Sequence, residues 1–212
     1  MMEKLLNVEG PVMTFLNKTG QLIGLSVLWL ICCIGVITIP AATTALYYAV
    51  MKSVRRDTGS AGKEFFRSFR ANLLRGMGAG LPVGGLMAVL VMNLRFLGET
   101  GGSNLLRWGT LILLVLLAAA GCCICPILSR FTMKVTDVWK LAFVMGVRFL
   151  PFTALILLGA LLGAAAQFYL LPIPALAILP GGMCLLATFP MEKALGHYMP
   201  PKEENDTSWY YT

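Results

Sequence analysis

The stretch "RRDTGSAGKEFFRSFRANLLRG", residues 55–76, sets Arg55, Arg56, Lys63, Arg67, Arg70, Arg75 and three phenylalanines between two long apolar runs. On a helical wheel Phe65, Phe66, Phe69 and Leu73 fall within about 100° of one another, while Lys63, Arg67 and Arg70 take the other side. A helix divided in this way lies at a membrane surface, with rings among acyl chains and cations near phosphates. The preceding "DTGS" reads as a turn, in which Gly59 supplies backbone freedom and the polar side chains offer caps. The stretch is therefore an elbow that orients the apolar run after it, and its mixed chemistry makes it a candidate docking surface.

The rest of the chain supports a membrane setting. Of 212 residues, 58% are hydrophobic and 13% charged, with a mean hydropathy of +0.77. A soluble domain has roughly twice that share of charge, about 25%. The formal charge of +7 does not point to nucleic acid, because the cations gather beside apolar runs as the positive-inside rule expects. About 20 apolar residues are needed to cross a hydrocarbon core about 30 Å thick. Segments 20–39, 76–93, 105–128, 149–170 and 173–190 meet that standard, and their lack of strict alternation excludes barrel strands. The expected fold is all-α: a polytopic helical bundle with about five transmembrane helices and two amphipathic cytoplasmic elbow helices.

Orientation follows from the short connections. The 52–75 connection is strongly basic, and 129–148 adds Arg130, Lys134, Lys140 and Arg148, whereas 94–104 has only Arg95 and 171–175 has no charge. Both basic connections are expected in the cytoplasm, with the N-terminus outside and a short cytoplasmic tail over 191–212. Pro40 ends the first run, and 41–51 is too short to cross again. It reads as a kinked continuation that carries Tyr47 and Tyr48 to the headgroups, with a re-entrant half-helix as the alternative. The second elbow, "VTDVWKLAFVMGVRFLPFT", supplies Trp139, Lys140 and Arg148. Residues 1–190 form one membrane domain, in which 20–93 and 105–170 read as a parallel repeat followed by a fifth span at 173–190. Gly76, Gly80 and Gly84, four residues apart, let helices approach closely.

Catalytic chemistry is not legible. No apolar run carries Asp, Glu, Lys, Arg or His in its interior, Arg107 lying in the first turn of 105–128; such residues are the usual mark of proton or ion coupling. No phosphate loop, zinc-protease motif or nucleophile elbow occurs, so the chain is expected to be no enzyme. The six cysteines all lie in apolar runs and read as core residues; with His197 isolated, neither a metal nor another cofactor is expected. No cleaved leader is expected from the delayed first apolar run. The remaining polar groups are Thr38, Thr43, Thr44, Asn93, Thr153 and Gln167, of which Thr38, Thr43, Thr44, Asn93 and Gln167 are candidates for a polar pocket.

The residues of 28–76 bear a family resemblance. Leu28-Trp29-Leu30, the 38–48 segment with Ala45-Leu46-Tyr47, and Phe65-Phe66 followed by Phe69 and Asn72 resemble the YesL-like proteins, small bacterial membrane proteins of unknown function. Similarity in the second half is confined to 140–153, and Ile39 stands where the family pattern usually has glycine. The resemblance implies about five spans, a bacterial cytoplasmic membrane and association with carbohydrate uptake; it supplies no catalytic residue. Asn72, at the edge of the aromatic face, reads equally as a junction cap or a partner contact. The leading expectation is a non-enzymatic accessory or regulatory protein. Its elbows, through Phe65, Phe66, Arg67, Phe69, Arg70, Asn72, Trp139, Lys140 and Arg148, would meet lipids and a sugar-transporter subunit or sensor kinase. The alternative is a small-solute transporter or channel, as a homo-oligomer, with Thr38, Asn93 and Gln167 lining its path.

Overall fold

The computed structural model describes residues 11–100, 103–149, positions 153, 154, 156, 158 and 159, and 174–197. Among these residues the chain is all-α. The helices are α1, Pro11–Cys32; α2, Ile39–Ala49; α3, Ala61–Glu99; α4, Asn104–Arg130; α5, Val135–Arg148; and α6, Pro174–Gly196. Three of them, α1, α3 and α4, are long and apolar enough to cross a membrane. The expected fifth run is α6, which continues through Met191, Ala194 and Leu195 into the core. Most of the expected fourth run, and with it Gln167 and part of the second repeat unit, lies outside the described residues, as does 198–212.

The chain reverses between α1 and α2, where a kinked continuation was expected. Helix α1 stops at Cys32, a 3₁₀ turn follows at Val36–Thr38, and α2 begins with Pro40 in its first turn. Proline suits a helix start, because its missing N–H would have no intrahelical partner there. The arms are antiparallel: the Trp29 indole N–H donates to Thr43 Oγ1 at 3.2 Å near the turn, and Lys18 Nζ lies 2.8 Å from Asp57 Oδ2 at the other end. The start of α1 and the basic loop therefore share one end of the bundle.

Helix α2 is the centre of the fold. Ala41, Ala42, Ala45 and Ala49 are fully buried, and their small side chains admit α3 at close range. A Cβ on Gly76 would lie 2.9 Å from Ala41 Cα, and one on Gly80 would collide with the Pro40 ring, whereas Gly84 meets nothing within 4 Å. Two of the three regularly spaced glycines thus serve packing within the chain. Beyond α2 the backbone widens into a π-helix, Val50–Arg55, a rare form found often at functional positions. It closes with the Thr58 N–H and hydroxyl on Lys52 O at 3.0 and 3.1 Å. Asp57 at φ 51° and Gly59 at φ 82° then turn the chain. Ser60 occupies the N-cap of α3 without a side-chain bond, so Thr58 rather than Ser60 supplies the polar closure.

The elbow and the second run form one helix. Helix α3 is 39 residues long and passes through Pro82 without ending. Proline costs a helix interior about 3 kcal/mol, and packing of α3 on α2 and α4 outweighs it. Two buried clusters hold the bundle. Leu25, Leu46, Val50, Val54 and Phe65 join α1, α2 and α3. Tyr47, Ile127, Val138, Met145, Met191 and Leu195 join α2, α4, α5 and α6.

Candidate functional site

The first five turns of α3, about 19 residues from Ala61, have two sharply different sides. Phe65, Ser68, Gly76 and Ala79 are buried, at spacings that follow the helical period. Phe65 is 0% exposed, stacks parallel to Phe69 at 6.2 Å, and meets Phe66 edge-on at 5.7 Å. Phe66 itself is 49% exposed and shares the outer side with Lys63, Arg67, Arg70, Leu74 and Arg75. The three rings therefore do not form one outward apolar face: Phe65 is core, and Phe66 sits among the cations. The cause is the fusion of elbow and span, which turns Phe65 against α2. Asn72 is half-buried and its Nδ2 donates to Ser68 Oγ at 3.3 Å, so its amide supports the packed side.

The second elbow, α5, follows the same division. Val138, Ala142, Met145 and Gly146 are buried, with Gly146 against the Ala119 and Ala120 backbone. The Trp139 indole N–H donates to Ala79 O on α3 at 3.1 Å, and its ring is 42% exposed. Lys140 and Arg148 point outward beside Phe143, Val144 and Val147. A shallow groove of about 350 Å³ between Met133, Asp137, Lys140, Leu141 and Val144 lies on this element.

Charged residues missed in the sequence tie these elements together. Glu192 on α6 pairs with Arg130 at the end of α4 and lies 3.7 Å from Arg56. The Arg130 side chain is only 3% exposed. Arg55 donates to Thr188 O at 3.3 Å and lies 4.6 Å from the Phe189 ring centre. Desolvation pulls the Arg56 guanidinium below its usual pKa, and Glu192 works in the opposite direction. Lys52 forms a second pair with Glu64 at 2.9 Å, both side chains 13% exposed. These pairs anchor the π-helix to α3, α4 and α6. Glu192 had a sequence signal, being an acid at the end of an apolar run whose nearest borders are basic.

Among the described residues, the polar candidates Thr38, Thr43, Thr44 and Asn93 do not form one pocket. Thr38 donates to the carbonyls of Cys32 and Gly35, each at 2.5 Å; Thr43 to Ile39 O and Thr44 to Pro40 O, each at 2.8 Å. Asn93 lines an open groove of about 560 Å³ with Val89, Met92, Phe96, Leu97, Leu106 and Thr110. Pro40 packs at Gly80, so Asn93 is thirteen residues, or about 20 Å of helix, beyond the hydroxyls.

No curated protein and no solved structure matches the chain. Residues 22–94 match a family model described as "Protein of unknown function, DUF624", and the match spans most of the α1–α2 hairpin, the basic loop and nearly all of α3, the elements that carry the candidate site.

Proposed function

We propose that the chain is a non-enzymatic accessory or regulatory protein of the bacterial cytoplasmic membrane, linked to carbohydrate uptake or its signalling. It acts by docking a sugar-transporter subunit or sensor kinase on the outer faces of α3 and α5. The observation that carries this reading is the two-sidedness of α3. Its inner side is locked into the core by Phe65, while Lys63, Phe66, Arg67 and Arg70 are held outward on a rigid helix. Pre-ordered side chains lose less entropy on binding, and arginine with an aromatic neighbour is the usual chemistry of an interface hot spot. The net basic charge suits an acidic partner surface, and the resemblance to YesL-like proteins supports the link with carbohydrate uptake.

The test is capture of membrane partners by the full chain carrying a crosslinker at Leu74, compared with the variant Phe66→Ala, Arg67→Ala, Arg70→Ala. A transporter subunit or sensor kinase should be recovered with the first and lost with the second, at equal membrane insertion and helicity. Equal recovery with both overturns the reading.

A further inference from the structure

We infer that the α1–α2 hairpin does not cross the bilayer but enters it from the side of the basic loop, with its apolar turn seated among the acyl chains of the near leaflet. Helix α1 has the length and composition of a span, yet its geometry argues otherwise. Lys18 pairs with Asp57, and Trp29 bonds Thr43, so the arms are antiparallel and the hairpin enters and leaves at the same end of the bundle. The paired part of the hairpin is shorter than the whole of α1, which has 22 residues: from Lys18 to Cys32 α1 rises about 21 Å, and the return arm from Ile39 to Arg55 about 24 Å, so the turn lies less than the roughly 30 Å core away from the Lys18–Asp57 pair.

Helix α3 marks the depth. Arg75 is its last cation before an uncharged stretch that runs to Arg95. Pro40, just past the hairpin turn, packs at Gly80, five residues or about 8 Å deeper along α3 than Arg75. With Arg75 at the phosphates, the turn reaches the acyl chains and no further. Arg67, about 12 Å further out along the helix, is left in water for a protein partner.

The turn is built for that environment. Ile34, Val36 and Ile37 are 81, 72 and 54% exposed, and no charged residue occurs between Lys18 and Lys52. Irregular backbone in hydrocarbon must satisfy its own polar groups. Here the Thr38 hydroxyl serves the Cys32 and Gly35 carbonyls, the Thr38 N–H bonds Gly35 O at 2.8 Å, and the Cys33 N–H bonds Trp29 O at 2.9 Å. Exposed apolar side chains over a turn whose Cys33, Ile34 and Thr38 N–H groups are bonded within it fit lipid tails.

The test places a strained-alkene amino acid at Asn17, Ile37, Thr58 or Ser103 of the full chain and applies a membrane-impermeant tetrazine dye from each side of sealed vesicles. Asn17 and Thr58 should label from one side, Ser103 from the other, and Ile37 from neither, although Ile37 labels in detergent. Labelling of Ile37 from the Ser103 side would mean that α1 crosses. Its labelling from the Asn17 side would mean that the turn is not inserted. Labelling of Asn17 and Thr58 from opposite sides would undo the hairpin. Any of these overturns the inference. Sidedness alone is read, so loss of partner capture by the α3 variant leaves it standing.

Discussion

Arg130 and Glu192, 62 residues apart in the chain, form an ion pair that fastens the end of α4 to α6, with the Arg130 side chain 3% and Glu192 16% exposed. Buried charges of this kind are costly to strand. Glu192→Gln leaves Arg56 and Arg130 without their shared carboxylate and should cost about 3–5 kcal/mol. Thermal unfolding in detergent should show a large downward shift. The double variant Arg130→Met, Glu192→Leu should recover much of it, since well-packed apolar replacements of buried pairs are often neutral.

The close approach of α3 to α2 makes glycine substitutions diverge. Gly76→Ala places a methyl 2.9 Å from Ala41 Cα and should destabilise by about 1–3 kcal/mol, the usual cost of overpacking. Gly84→Ala meets nothing within 4 Å and should be neutral, or stabilising by up to about 1 kcal/mol from helix propensity. Unfolding midpoints of the two variants in the same detergent check the ordering.

Adjacent phenylalanines should separate stability from docking. Phe65→Ala empties a fully buried site and should cost about 3–5 kcal/mol. Phe66→Ala removes a half-exposed ring and should leave the unfolding midpoint within the small range of surface changes, about 0.5 kcal/mol. Stability and partner capture measured on both variants should show the first losing stability and the second losing capture.

Trp139 fixes α5 to α3 by a single directional bond. Trp139→Phe keeps an aromatic ring but removes the donor to Ala79 O, and should cost about 0.5–1.5 kcal/mol. Hydrogen exchange of α5 amides should quicken, with little change in the α1–α2 hairpin.

Much of this architecture is legible in the amino-acid order. Long apolar runs without interior charge determined the helical class and the approximate positions of the later part of α3, of α4 and of α6, because hydrocarbon and a buried core make the same demand on a helix; the run at 20–39 instead divides between α1 and the turn after Cys32. The crowding of Lys63, Arg67 and Arg70 with three phenylalanines marked residues 61–75 as the chemically distinctive segment. The i, i+4, i+7, i+8 spacing of Val138, Ala142, Met145 and Gly146 likewise announced a two-sided α5.

Only the tertiary structure decided where the chain turns back and which ring faces inward. Pro40 is compatible with a kink or with a fresh helix start; the choice depends on Ala41 meeting Gly76 and on Lys18 reaching Asp57, contacts between residues distant in the chain. A wheel groups Phe65 with Phe66, but rotation of α3 is set by the partners available to each side, and α2 claimed Phe65. Glu192 acquired its role in the same way: one carboxylate beside an apolar run is unremarkable until folding brings Arg56 and Arg130 to it. Periodicity is a property of neighbours along the chain, whereas reversal, rotation and charge pairing are settled by whichever distant surfaces bury the most apolar area without stranding a charge.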